Sequence, residues 1–193
     1  MRVIAGSARS LKLSAPKGLE VRPTTDRIKE TLFNIIRDHI YDCCFLDLFC
    51  GSGAIGIEAL SRGARSAVFA DNSRVSCECT RNNLIHTKLD DRAEILCRDA
   101  VSAVDRLAVD RKRFDIIFMD PPYGRELEKE LLVRSRICDI LEDDGFIVIE
   151  ADRDTDFDYT SECGLTVFRE KCYGSNKHIF LKKDILGLCE GSH

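Results

Sequence analysis

Two short stretches carry residue types whose order can do chemistry: Gly51-Ser52-Gly53-Ala54-Ile55-Gly56 and Asp120-Pro121-Pro122-Tyr123. In the second, two prolines stiffen the backbone and bring no N–H, so the local carbonyls stand as fixed acceptors. The Asp120 carboxylate adds a further acceptor, and Tyr123 offers a flat face for stacking. That set suits a planar base held by its exocyclic amino group. Such a nitrogen is a poor nucleophile while its lone pair is delocalised into the ring. If Asp120 and the Pro121 carbonyl each accept one N–H, the nitrogen is favoured in a more tetrahedral geometry, with its lone pair aimed at an electrophile. The plain structural alternative is a proline-rich turn, with Asp120 as a helix cap and Tyr123 as packing.

The glycine stretch formally matches GxGxxG. An apolar β-type run, Phe45 to Phe49, leads into it, and a helical pattern through Ile55, Ala59 and Leu60 leaves it. A strand, a tight turn and a helix in that order aim backbone N–H groups and the positive end of a helix dipole at a nucleotide-like ligand. Glycine is expected there because a Cβ would block the ligand's approach. Asp71 closes the next β-type run about 20 residues beyond the first glycine, where a carboxylate can accept both hydroxyls of a ribose. A dinucleotide fold and an adenosyl-cofactor fold fit this pattern equally.

The elements that must position these residues read as alternating strands and helices. Ile28, Leu32, Ile35, Ile36 and Ile40 at helical spacing predict an amphipathic helix over about 26–41. Strands are expected at 45–49, 67–71, 93–97, 114–119 and 146–150, with helices between them, the last over about 126–141. Leu165–Arg169 and His178–Leu181, separated by Tyr173-Gly174-Ser175-Asn176, read as a closing hairpin, and residues 3–13 as a short basic one. This rhythm implies an α/β, Rossmann-like fold: a mostly parallel sheet with helices on both faces and ligands at the carboxyl ends of the strands. Asp47, Gly51, Asp71, Asp99 and Asp120 should then share one edge.

With 193 residues, 44% of them hydrophobic, the chain can bury one good core. The expected division is a basic N-terminal segment, 1–25, ahead of a catalytic domain, 26–193. No run of about 18 apolar residues exists and the start lacks a signal peptide's apolar segment, so a soluble, cytoplasmic protein is expected; a monomer is expected as well. The ten cysteines are scattered without a CxxC pair, and the four histidines have no metal-ligand spacing. Reduced core cysteines and no metal are the expectation. Net charge is −4, yet its distribution is uneven. Residues 1–37 hold eight basic and three acidic side chains, 169–183 five and one, and 139–158 one and nine. If the two basic ends lie beside the glycine turn they form a phosphate-attracting rim, with the acidic segment facing elsewhere.

Together with the opening MRVIAGSARSLKL, RPTTDRIKETLFNII, FLDLFCGSGAIGIEALSRGA, FMDPPYG and REKCYG, these stretches closely resemble the RsmD family. Its members are small-subunit (16S) ribosomal RNA guanine-N2 methyltransferases, a branch of the class I S-adenosylmethionine-dependent enzymes. The resemblance covers nearly the whole chain. It implies a seven-stranded sheet whose last hairpin adds an antiparallel strand. S-adenosyl-L-methionine is the implied cofactor, with Asp47, Gly51 and Gly53 around its methionine part, Asp71 at the ribose, Asp99 with Ala100 at the adenine, and Phe49 and Asn72 as further cofactor contacts. Asp120, Pro121 and Tyr123 would hold the target guanine. The implied partner is small-subunit ribosomal RNA or the assembling subunit, with Arg22, Thr24, Arg27 and Tyr173 as candidate contacts. For the arginines, intramolecular pairing that shapes the pocket is the alternative. Three other functions stay open: adenine-N6 methylation of DNA or RNA through the same Asp-Pro-Pro-Tyr site, a nicotinamide-dependent oxidoreductase, and a non-catalytic RNA-binding module.

Overall fold

Successive side chains of a strand point to opposite faces of the sheet, so strands that are apolar throughout need cover on both sides. The computed structural model, which describes residues 1–16, 26–122 and 124–184, meets that need. Its strands are β1 (Cys44–Leu48), β2 (Ser66–Asp71), β3 (Ala93–Cys97), β4 (Phe114–Met119), β5 (Leu141–Asp152), β6 (Leu165–Tyr173) and β7 (Asn176–Lys183). They form one sheet in the order β3-β2-β1-β4-β5-β7-β6. The first five run parallel, and β7 pairs antiparallel with both β5 and β6, as the family resemblance implied.

The helices are α1 (Asp26–Ile35), α2 (Ala54–Ser61), α3 (Arg74–Thr87), α4 (Ala100–Val109), α5 (Leu127–Arg134) and α6 (Ile137–Ile140). Phe45, Ile116, Phe118, Val148 and Phe180 pack on one face with Leu32, Phe33, Ile57 and Leu84 of α1, α2 and α3. Their neighbours in sequence, Leu46, Ile117, Met119, Ile147 and Ile149, pack on the other with Val104, Leu131 and Ile140 of α4, α5 and α6.

Three boundaries differ from expectation. The first helix ends at Ile35, and a 3₁₀ turn at Arg37–His39 carries the chain on. The tighter winding keeps both Ile36 and Ile40 in the core. The helix expected over 126–141 is broken at Ser135, whose backbone is extended (ψ 171°) and whose hydroxyl donates to the Leu131 carbonyl. β5 begins at Leu141 rather than at Phe146, because its register on β4 shifts where Glu142, Asp143 and Asp144 occupy a bulge.

The N-terminal segment forms a short antiparallel hairpin, with a bridge from Arg2 to Lys12 and the Val3 and Leu13 N–H groups donating to the Leu11 and Met1 carbonyls (2.9 and 3.0 Å). It is fastened to the domain by Glu58 of α2, which accepts the N–H groups of Ile4 (2.8 Å) and Ala5 (3.0 Å). Val3, Ala8 and Leu13 join the core.

Sheet order reverses between β1 and β4: the chain proceeds from β1 to β2 and β3 on one side, and β4 and β5 lie on the other. Open α/β sheets bind ligands in the crevice at such a switch point, beyond the carboxyl ends of the strands.

Candidate active site

The residues after β1 fold back sharply, with Phe49, Gly51 and Gly53 all at positive φ (61°, 54° and 74°). Two strand-end carboxylates pin this turn. Asp71 accepts the Gly51 N–H (2.9 Å) and the Ser73 N–H (2.8 Å), while Asp47 accepts the Gly56 N–H in the first turn of α2 (2.9 Å). The glycines are required for reasons other than ligand approach. A Cβ on Gly53 would sit 2.7 Å from the Thr80 methyl and one on Gly56 2.3 Å from the Phe69 ring, so both make room for α3 and β2. At Gly51 there is open space, and the left-handed backbone is what favours glycine. Phe49 tolerates the same conformation without that freedom, the kind of backbone outlier that gathers at ligand sites.

A cavity of about 350 Å³ opens beside this turn, lined by Phe49, Ala70, Asp71, Asn72, Asp99, Ala100, Val101, Leu127, Glu130 and Leu131. Five of the eight residues expected around a cofactor line it. Asp47, Gly51 and Gly53 do not, and of these Gly51 is tied to its wall through its hydrogen bond to Asp71. Asp99 has a second duty as the N-cap of α4: it accepts the Ser102 N–H (2.9 Å), and that bond holds its carboxyl below the usual range. The contribution of α5 carried no signal in the sequence, since nothing in Leu127, Glu130 and Leu131 tells which strand ends the helix crosses.

The acceptor corner stands next to the glycine turn. β1 and β4 are paired, Leu48 opposite Met119, so Asp120 and Pro121 leave the sheet one strand away from Phe49 and Cys50. Among the described residues Asp120 makes no hydrogen bond and no ion pair, which leaves its oxygens available. Burial, then the charges of Glu150 and Asp47, push its carboxyl well above the usual range. Asp47 is pushed up to about 7, by burial first and the charge of Asp71 second, against the opposing Gly56 N–H.

Two residues missed in the sequence stand beside this corner. Glu150 and His178 face each other across β5 and β7, with His178 Nε2 at 3.2 Å from Glu150 Oε2, and Asn176 donates to Glu150 Oε1 at 3.1 Å. Glu150 was legible in principle, as an acid ending the apolar run Phe146–Ile149, like Asp71 and Asp120 before it. The edge of the Tyr173 ring meets His178, centroids 4.9 Å apart.

Tyr173 and Arg27 come together as well: they line a cleft of about 470 Å³ with Ile28, Thr31, Lys171 and Gly174. The later part of the acidic segment, expected to face away, instead shares the carboxyl edge, while Glu142, Asp143 and Asp144 lie at the start of β5, at the opposite edge. Asp152, Asp154 and Asp156 line a cleft of about 770 Å³ with Glu126, Glu128 and Gly124, next to the Asp-Pro-Pro corner. This follows from β5 running parallel to β4, which delivers the residues after both strands to the same edge. Arg22, Thr24 and Tyr123 lie outside the described residues.

Comparison with known proteins agrees with this geometry. A putative rRNA methyltransferase, YlbH, of Bacillus subtilis is 39% identical over 183 residues, covering 95% of this chain and 99% of the relative. The ribosomal RNA small subunit methyltransferase D of Escherichia coli K12 is 38% identical over 151 residues, 78% of this chain and 71% of the relative. The solved structure of the putative methyltransferase yhhF from Escherichia coli superposes with a TM-score of 0.77 at 31% identity, covering 95% of this chain and 98% of that one. A family model described as "Conserved hypothetical protein 95" matches residues 1–182. The chain is an enzyme of this family, the RsmD family of class I methyltransferases.

Proposed function

We propose that this enzyme transfers a methyl group from S-adenosyl-L-methionine to the exocyclic N2 of a guanine in small-subunit (16S) ribosomal RNA. One observation carries the reading. The glycine turn and the Asp-Pro-Pro corner leave adjacent strands at the switch point, with a nucleoside-sized cavity beside them. The cavity suits the cofactor chemically. Acidic oxygens of Asp71 and Asp99 meet a ribose and an amino-purine edge, and the apolar walls of Ala100, Val101 and Leu131 meet a ring. Asn72 lies beside the ribose, and Phe49 with Asp47, Gly51 and Gly53 holds the methionine end. When bound, the cofactor supplies an electrophilic methyl on a sulfonium.

The chain's own residues supply orientation. Asp120 and the Pro121 carbonyl accept the N–H bonds of the target amino group and aim its lone pair, and Tyr123 stacks on the base. Positioning of this kind replaces a bimolecular encounter by an oriented one, which accounts for most of the acceleration this site has to provide. RNA reaches the corner from the basic side, over Arg27, Lys171 and Tyr173, with Arg22 and Thr24 as further contacts, since the acidic cleft on the other side repels phosphate. A base within a helix cannot enter, so the target is unpaired or flipped.

The test is transfer of labelled methyl to small ribosomal subunits from cells lacking this activity, followed by nucleoside analysis. Label in N2-methylguanosine is expected. Label in N6-methyladenosine, or no label from protein that binds S-adenosylhomocysteine, overturns the proposal.

A further inference from the structure

Glu150, His178 and Asn176 belong to no part of the site as the sequence foretold it, and the methyltransferase reading leaves them unused. Glu150 and His178 are fully or almost fully buried. Burying a carboxyl costs several kcal/mol that an apolar pair of similar volume avoids. The surrounding sheet offers that alternative, because Val148 and Phe180, one step back on the same two strands and the same face, are apolar and packed.

Parity and register say where Glu150 points. Phe118, Val148 and Phe180 are aligned across β4, β5 and β7 on the face covered by α1 and α2. Two residues further toward the carboxyl edge the same row reads Asp120, Glu150 and His178. Asp120 is therefore flanked by Glu150 after β5's apolar run and by Phe49 after β1, with Asp47 one pleat back on the same face, opposite Phe118. Behind them lie Asp71 at the end of β2, His178 on β7, and Lys171, Tyr173 and Arg169 on β6. Glu150 cannot turn away from this row, because both its oxygens are engaged, one with Asn176 and one with His178.

We propose that Glu150, clamped by Asn176 and His178, is a positioning residue for methyl transfer, its fixed negative charge setting how the Asp120 carboxyl presents itself to the target amino group. The inference rests on the proposed methyltransferase function. A like charge at the neighbouring strand end opposes ionisation of Asp120, so the charge at position 150 sets how readily the Asp120 carboxyl gives up its proton. Asp120 must ionise to accept a hydrogen bond from the target N–H without offering a proton of its own. The charge at position 150 thus governs the pH above which the site works, although Glu150 touches neither base nor cofactor.

The experiment is single-turnover methyl transfer to small ribosomal subunits across a pH range, with S-adenosylhomocysteine affinity measured on the same samples. Glu150→Gln keeps the shape and the bond from Asn176 and removes the charge, its NH2 meeting His178 Nε2 in the tautomer that accepts there. Its acidic limb should move to lower pH by about one unit, at unchanged S-adenosylhomocysteine affinity. Glu150→Asp keeps the charge, so its limb should stay with the wild type even if its rate falls. A Glu150→Gln profile superimposable on the wild type, or a Glu150→Asp limb displaced like that of Glu150→Gln, overturns the proposal. No transfer by the wild-type protein at any pH would instead sink the methyltransferase reading itself. Should Glu150→Gln fail to fold, Asp120→Asn decides: relief of repulsion from Glu150 should raise its melting temperature over the wild type more at pH 8 than at pH 5. An equal difference at both values counts against the inference.

Discussion

Glu58 and Asp47 are both buried carboxylates, and they meet at α2, one inside the helix and one at its first turn; the chain treats them in opposite ways. Glu58 collects Lys29 at 3.1 Å, Arg62 at 2.7 Å and the N–H groups of Ile4 and Ala5. Lys29 in turn donates to the Arg2 carbonyl, and burial lowers its pKa against the attraction of Glu58. Every lone pair there is used, and the knot fastens the N-terminal segment and α1 onto α2. Asp47 has one backbone N–H, from Gly56, and among the described residues no cation. A buried carboxylate with a full set of donors is a structural joint. One left short of them, beside a cavity, is poised for a ligand that brings positive charge.

The largest effect that sharpens this contrast is on stability. Glu58→Ala leaves Lys29 buried without its counter-charge and two backbone N–H groups without an acceptor. It should cost about 3–5 kcal/mol in urea unfolding. Asp47→Asn, which removes a charge that burial already disfavours, should be neutral or mildly stabilising at neutral pH. Equal losses from the two substitutions would erase the distinction.

The next effect is on ligand binding. Because the folded-state pKa of Asp47 is raised to about 7 from 3.8, the native state holds a proton that the unfolded chain has released. Its contribution to stability is therefore full below the unfolded value and is lost as pH rises toward 7. A ligand with an ammonium group nearby favours the anion and expels that proton. S-adenosylhomocysteine affinity should thus rise by up to about tenfold per pH unit below pH 7 and level off above it. Titration calorimetry should show that slope flattened in Asp47→Asn. A slope unchanged by the substitution would show that another group titrates.

Much of this site was legible because its residues lie at or near strand ends, where continuous apolar runs give way to an acid or a glycine. Asp47, Asp71, Asp99 and Asp120 were all found that way, and the edge they share follows from the parallel sheet. What could not be read was side-chain commitment. The glycines at 53 and 56 look like ligand glycines, yet they answer to Thr80 and Phe69, contacts between elements that no local pattern encodes. The break at Ser135 and the bulge before Gly145 were hidden for a related reason. Both are set by how far α5 and β5 must travel to meet the sheet, and the local sequence around each still reads as helix or as loop. The Glu150–His178 pair needed the antiparallel register of β7 on β5, which a sequence spacing of 28 residues does not reveal.

The smallest effect separates two duties carried by one side chain. Asp99 caps α4 through Ser102 and also lines the cavity, where the proposed function assigns it to the adenine. Its carboxyl is held below the usual range, so the stability it confers is present above the unfolded pKa and lost as pH falls through the folded one. Asp99→Ala should cost about 1 kcal/mol, the ordinary value of a lost N-cap, together with some cofactor affinity. Asp99→Asn keeps a good cap, so its unfolding midpoint should match the wild type. Its amide nevertheless puts a donor where an acceptor for the purine amino group can be, and a misplaced hydrogen bond of that kind lowers affinity by roughly fivefold to tenfold. Wild-type stability with weakened S-adenosylhomocysteine binding in Asp99→Asn assigns the residue to the ligand as well as to the helix. Wild-type binding would return it to the helix alone, on the side of Glu58 rather than of Asp47.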